Sequence, residues 1–419
     1  MNEQLLQYIW QFQYFNHLSL ATDHEEPLRI IRPGTINHNQ GPDFENARVQ
    51  IGSTTWAGSV ELHLKASDWE KHRHQNDKNY RKVILHVVYE NDKPVSDIPV
   101  LELKTRISRS LLKRYDGFMH AQSFIPCEHQ ILKVPAIIFN IWKSRLVAER
   151  LIRKGMVIQQ YQEANEQHWE ESFWWLLARN LGVPVNTDAF EAVAKSIPIK
   201  ILAKHKNQIH QLEAVLLGQA GLLKESFDDP YPKLLQREYA FLQRKYGLIP
   251  VSYPVQFLRM RPGNFPTIRL AQLAALIHSS VHLFSKLLEE DSLKRARQLF
   301  KANANDFWNY HYSLKDKSGY KEKAIGAAMI NNIIVNTVCP MLFAYGCFID
   351  KNQLKEKAIR WLEELSAEKN TITKGFEQLG LSNAMALDSQ AFIELKSHFC
   401  DARKCLQCTV GNYLLKQEK

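Results

Sequence analysis

The period of the hydrophobic pattern changes near Ser108. Before it, apolar residues fall in short alternating runs, Leu28–Ile31, Ala47–Ile51, Trp56–Leu64, Val83–Tyr89 and Val100–Ile107, divided by turn residues. Alternation of this kind lines one face of a sheet. After Ser108, apolar residues recur every three or four positions almost without a break, as in helices that bury one stripe. No single layer satisfies both periods. The chain is therefore expected to be α+β, with a small mixed-sheet domain over 1–120 and a large all-helical domain over 121–419.

Within the first domain, Gln4 to Phe15 has the spacing of an amphipathic helix, and GSTT after Ile51 suits a hairpin turn. The polar stretch SDWEKHRHQNDKNY is long enough for one short helix, with Ser67 as its N-cap. Beyond Ser108 the expected helices include 136–163, 208–224, 268–289 and 320–346, with the loop SYPVQFLRMRPGNFPTIR as the longest non-periodic stretch.

With 419 residues, 45% hydrophobic, and only 17 Gly and 16 Pro, the chain is neither collagenous nor broadly disordered, and it needs no disulfides to build a core. Its net charge of +10 favours polyanionic partners, nucleic acid first. The N-terminus carries Glu3 and lacks the apolar core and cleavage site of a signal peptide. The longest apolar stretch, Ile325 to Ile349, is interrupted by Asn331, Asn332, Asn336 and Pro340. A soluble, cytoplasmic protein with no membrane partner is expected.

Residues 40–65 carry the densest chemistry. Asp43, after Pro42, opens one strand, and the next places Glu61, His63 and Lys65 on one face. Across a hairpin, Asp43 and Glu61 would approach each other, a pair suited to one or two divalent ions that activate water against a phosphodiester. His72, His74 and His86 crowd the same unit. His86 interrupts the apolar strand VILHVV and needs a partner there. His72 and His74, two apart on a helix, are not expected to share a face.

This element order and acidic pair resemble the PD-(D/E)xK nucleases. The resemblance covers residues 1 to about 107. It implies Asp43 and Glu61 as ligands of Mg²⁺ or Mn²⁺ and a lysine that orients or deprotonates the attacking water. The lysine position holds His63, with Lys65 one pleat further on. The literal Glu-x-Lys spacing occurs instead at Glu102 and Lys104, on a late strand.

Cys400, Cys405 and Cys408 have the spacing C-x4-C-x2-C, which in a reducing compartment points to metal or redox chemistry. Cys127, His398, or Cys339 and Cys347 could supply a fourth ligand; Cys339 and Cys347 read rather as core residues. Thiolate-rich sites hold Zn²⁺ or an iron-sulfur cluster, and the spacing is similar to that of plant-type ferredoxins. The set of Cys127 with the terminal three is also similar to the cluster of some PD-(D/E)xK nucleases of recombination and CRISPR adaptation, although their lone cysteine precedes the nuclease motifs.

In the helical region, Arg259, Arg261 and Arg269 with Phe265 form an arginine-aromatic group suited to phosphate contact and base stacking. Gly218, Ala220 and Gly221 permit close helix packing. Over nearly its whole length the chain also resembles a bacterial family of uncharacterised proteins, DUF2851. The carrying segments are GPDFENA, GSVELH, SDWEKHRH, ILHVV, EAVLLGQAGLL, RPGNFPTIRLAQLA, Ser389-Gln390 and the terminal cysteines. The expected function is a metal-dependent nuclease or phosphodiesterase. Its rivals are a non-catalytic nucleic-acid-binding or scaffold protein and a hydrolase of small phosphoesters.

Overall fold

The computed structural model describes residues 1–417 except 38, 95–97 and 259. The chain divides into two compact units. The first comprises Met1–Trp142, Gln378–Leu381 and Leu395–Lys419; the second comprises Lys143–Glu377 and Ser382–Glu394. The terminal segment with its three cysteines thus groups with the sheet, as do residues 121–142.

The first unit opens with α1 (Glu3–Gln11), capped by the Asn2 side chain and burying Leu5, Leu6 and Ile9. A mixed sheet follows, built from β1 (Leu28–Arg32), β2 (Thr35–Ile36), β3 (Phe44–Ile51), β4 (Thr54–Lys65), β5 (Val83–Glu90) and β6 (Val100–Glu102). Its order is β1-β3-β4-β5-β6, with β2 also paired to β3. The expected hairpin joins β3 to β4, with Gly52 at φ +57° in the turn. β4 and β5 pair in parallel, as do β5 and β6. The last strand is shorter than its sequence suggests: after Glu102 the chain turns, and the Ile107 amide bonds back to the Leu103 carbonyl.

A bulge interrupts β3 between Phe44 and Ala47, where Asn46 takes φ +55°. It shifts the burial phase, so Phe44 is buried together with Ala47, Val49 and Ile51. Both faces of β4 are covered. Val60 and Leu62 lie on one side, Glu61 and His63 on the other, all buried. A small core of Ala66, Trp69, Val83, Val88 and Val100 packs beside them.

α3 (Arg109–His120) follows a short α2 (Asp68–Lys71) in the element count, and the terminal segment returns to it: the Arg403 guanidinium donates to the carbonyls of Phe118 and Ala121. Helix Thr409–Lys416 ends the unit. Its Asn412 Oδ1 accepts a hydrogen bond of 2.9 Å from the Tyr8 hydroxyl on α1 and one of 3.3 Å from Tyr14.

The second unit is helical. The helix expected over 268–289 is broken at Ser280, which is extended, into Pro266–Ser279 and Leu283–Glu289. That expected over 208–224 stops at Gln219. Ala327–Phe348 is long and apolar enough to cross a membrane, but 61% of that window is buried inside the protein, as in a core helix. It widens to a π-turn at Ile334–Val338. Cys339 is buried on it, whereas Cys347, expected in the core, is exposed. Gly218 lies directly against the ring of Tyr239, so the small residue does permit close packing there. Ser389 and Gln390 serve the unit's own scaffold: Ser389 Oγ accepts from the Glu368 amide, and Gln390 bonds Arg150 and Glu368.

Candidate metal centre

The bulge in β3 brings Asp43 opposite Glu61, and the two interlock through the backbone. The Asp43 amide donates to Glu61 Oε2 at 3.0 Å, and the Leu62 amide donates to Asp43 Oδ2 at 3.1 Å. Gln7, from α1, donates to Asp43 Oδ1 at 2.8 Å. Burial raises both carboxyl pKa values above the usual range, and for Glu61 the Asp43 charge adds to it. A buried and a half-buried carboxylate this close favour a shared proton or a cation.

His63 sits behind Glu61 on the same face, 2% exposed. Its Nδ1 shares a hydrogen bond of 2.9 Å with His86 Nε2, which supplies the partner that His86 requires in its apolar strand. Its Nε2 lies 3.2 Å from His72 Nδ1 and 3.6 Å from Glu61 Oε1. His74 Nε2 lies 3.4 Å from the same Glu61 oxygen. The ligand atoms of His63, His72 and His74 all fall within 4.8 Å of one another.

The expectation that His72 and His74 would diverge fails for a local reason. α2 ends at Lys71, His72 caps it, and Arg73 adopts a left-handed conformation with φ +60°. That single residue redirects the chain so that both imidazoles reach His63. His74 is then held by stacking on Tyr80, with ring centroids 3.9 Å apart. Ser67, expected to cap this helix, instead bonds Asp92 through its amide and hydroxyl.

These donors suit a metal ion. Four ligands about 2.0–2.1 Å from a tetrahedral ion stand about 3.4 Å apart, close to the spacings around Glu61 Oε1 and His63 Nε2. His74 Nε2 is buried without a hydrogen-bond partner. Burial, reinforced by the neighbouring imidazoles, pushes His63 down to about 3; burial first, with His74 adding, takes His86 to about 4. Both are neutral at physiological pH, as metal-ligating or orienting imidazoles must be. The hydrogen bond to His86 has the form of an outer partner that fixes the tautomer of a ligating histidine.

The lysines expected nearby are elsewhere. Lys65 is exposed at the end of β4, where its charge acts on Asp92. Lys104 pairs with Glu90 at 2.5 Å on the surface, and Glu102 is exposed, so the literal Glu-x-Lys forms no site. Gln7 and Glu3, which adds negative charge beside both carboxylates, escaped the sequence reading. Their only signal is an i, i+4 polar pair on an otherwise apolar helix face.

The cysteines form a second cluster in the same unit. Cys127, Cys400, Cys405 and Cys408 are all buried and free. Burial pushes the Cys127 thiol up to about 12, and Cys405 and Cys408 are near enough to raise it further by charge repulsion; Cys400 is raised likewise by the other three. Cys408 caps the terminal helix, and the amides of Val410 and Gly411 point at its sulfur. Gly411 lies so close to Cys405 that an added Cβ would stand 2.3 Å from its carbonyl.

The arginine group does not form as expected. Arg259 lies outside the described residues, Arg261 is exposed, and Arg269 is buried in the first turn of helix Pro266–Ser279 rather than in the loop.

The chain belongs to a family of proteins of unknown function, DUF2851, whose model matches residues 3–371. The match takes in the whole sheet and its histidines and ends before Ser389-Gln390 and the terminal cysteines. No curated protein and no solved structure matches significantly.

Proposed function

We propose that this chain is a metal-dependent nuclease or related phosphodiesterase, with Glu61, His63, His72 and His74 holding one divalent cation. The observation that carries the reading is the convergence of these four donors around a buried histidine nitrogen that has no other partner. Three imidazoles and one carboxylate favour Zn²⁺ over the Mg²⁺ or Mn²⁺ suited to a carboxylate pair alone. Such a cation supplies Lewis acidity toward a phosphoryl oxygen and lowers the pKa of water. His86 keeps His63 in one tautomer. Asp43, half-buried between Gln7 and the Leu62 amide, is the group placed to take a proton from an attacking water. The +10 charge suits a nucleic-acid substrate, and the element order with its acidic pair resembles the PD-(D/E)xK nucleases.

The test is hydrolysis of DNA, RNA and bis(4-nitrophenyl) phosphate with Zn²⁺, Mn²⁺ or Mg²⁺. Cleavage is expected to vanish with chelator and in Asp43→Ala. Cleavage that survives Asp43→Ala and Glu61→Ala together defeats the assignment. A second reading, a non-catalytic nucleic-acid-binding or scaffold protein, draws on the exposed position of Lys65, which leaves the carboxylates without a lysine. Salt-dependent binding without turnover under any metal is its signature.

For the cysteines we propose an iron-sulfur cluster held by Cys127, Cys400, Cys405 and Cys408 in a cytoplasmic protein. The four thiols are buried in one unit and near enough to raise one another's pKa values, and the C-x4-C-x2-C spacing is similar to that of plant-type ferredoxins.

A further inference from the structure

A buried arginine in the second unit lacks a counter-charge. Arg269 is 7% exposed, its Nη1 donates to Gln272 Oε1 at 2.8 Å, its Nη2 donates to Asn264 Oδ1 at 2.5 Å, and its Nε has no partner. Both acceptors are neutral amides. Among the described residues no carboxylate pairs with Arg269; the half-buried Lys143 and Arg150 of this unit pair with Asp388 and Glu394, and the buried Lys323 is held by the Lys321 carbonyl and the Tyr312 ring. Burial lowers the Arg269 pKa only to about 10, so the charge persists at neutral pH. An unpaired buried guanidinium costs several kcal/mol unless something neutralises it.

Arg269 lines a cavity of about 440 Å³ that contains no acidic side chain. Its polar wall is asparagine: Asn180, Asn264, Asn332 and Asn336. Behind Asn336 stands a second basic group, since Lys154 Nζ donates to Asn336 Oδ1 at 2.7 Å. Apart from Thr187, whose hydroxyl donates to the Val183 carbonyl, the remaining wall is apolar and includes Val183 and Met329. The size falls within the range of small-molecule sites.

The backbone beside the cavity departs from ordinary conformations at two points. Val183, a β-branched residue, is held at φ +48°. Asn336 projects from the π-turn at Ile334–Val338. Such departures collect at ligand sites, where the surrounding structure sustains their cost.

We propose that this cavity binds a phosphate-bearing small molecule of about mononucleotide size, with Arg269 facing the phosphate and the asparagine amides holding its oxygens and the attached polar groups. Arg269 supplies the charge and Lys154, which burial lowers to about 7, adds a second basic group that an anion bound beside Asn336 would keep protonated, a pairing that suits a phosphate dianion better than a carboxylate. The apolar wall accepts the uncharged body of the ligand. This site is independent of the histidine centre.

Calorimetric titration of the full chain with inorganic phosphate, with 5′-mononucleotides and with succinate tests it. Phosphate is expected to bind and a mononucleotide to bind more tightly. Arg269→Gln is expected to weaken both at least about tenfold, the loss of one charge-assisted contact. Asn332→Asp, a half-buried change that leaves the arginine in place, puts a negative charge in the wall and is expected to do the same. Binding of neither phosphate nor any mononucleotide overturns the proposal, as does binding unaffected by both substitutions. Preference for succinate overturns the phosphate class.

Discussion

Replacing Glu61 by Gln separates metal binding from folding, because the two oxygens of Glu61 have different duties. Oε2 accepts the Asp43 amide, and the amide oxygen of a glutamine accepts it equally well. Oε1 faces His63 and His74 at 3.6 and 3.4 Å, and there the glutamine NH₂ becomes a donor to the imidazole nitrogens. The metal-free variant therefore keeps its fold, because glutamine mimics the protonated carboxyl that burial and the Asp43 charge favour at position 61. The same NH₂ occupies the position of a ligand and brings no negative charge, so the metal is lost. For the unsubstituted protein, Zn²⁺ at a hundred times its dissociation constant adds about 2.7 kcal/mol. In a unit of this size that is a rise in melting temperature of about 5–11 °C. Scanning calorimetry with chelator and with Zn²⁺ reads both effects. The expected result is an unchanged or higher melting temperature for Glu61→Gln with chelator, and no zinc shift. An equal zinc shift in the two proteins, or none in the unsubstituted one with any divalent transition metal, refutes the reasoning.

Cys408→Ser is expected to abolish iron and sulfide binding by protein purified without oxygen, together with the visible charge-transfer absorption. Stoichiometric zinc in the unsubstituted protein and no iron rejects the cluster. Gly218→Ala drives a methyl group to within 2.2 Å of the buried Tyr239 ring, and urea unfolding is expected to register a loss of about 1–3 kcal/mol despite the better helix propensity of alanine. Burial raises Glu213 from its ordinary 4.5 to about 7. The native state then retains a proton that the unfolded chain releases, so stability falls as pH rises from about 4.5 to 7. Glu213→Gln, which mimics the protonated acid, is expected to match the unsubstituted protein below that window and to exceed it above, by up to about 3 kcal/mol. A pH-independent difference contradicts this.

The elements that alternate or repeat strongly were legible, and the hairpin brought Asp43 near Glu61, but the bulge that sets them opposite each other has no sequence signal. The need of His86 for a partner followed from the apolar residues around it. The identity of that partner, His63, depends on the parallel register of β4 and β5, which no local pattern specifies. His72 and His74 were unreadable as a pair because one left-handed arginine, a residue with no special liking for that conformation, undoes the helical spacing. Lys65 sits on the anticipated strand, yet the strand runs past the covered part of the sheet and leaves it in solvent. Arg269 looked like a loop residue because Pro262 and Pro266 suggest irregular chain, but Pro266 starts a helix and draws the arginine into the interior.

The bond from Tyr8 to Asn412 spans 404 positions of the chain. During synthesis at about 5–20 residues per second, α1 waits some 20–80 s for the segment that clasps it. Gln7, on that same helix, is what steadies Asp43. The residues of the histidine centre emerge early, but their support is completed last, after the whole second unit has been made. A ribosome-bound chain that has not yet made Asn412 thus carries His63, His72 and His74 without the bond that clasps α1.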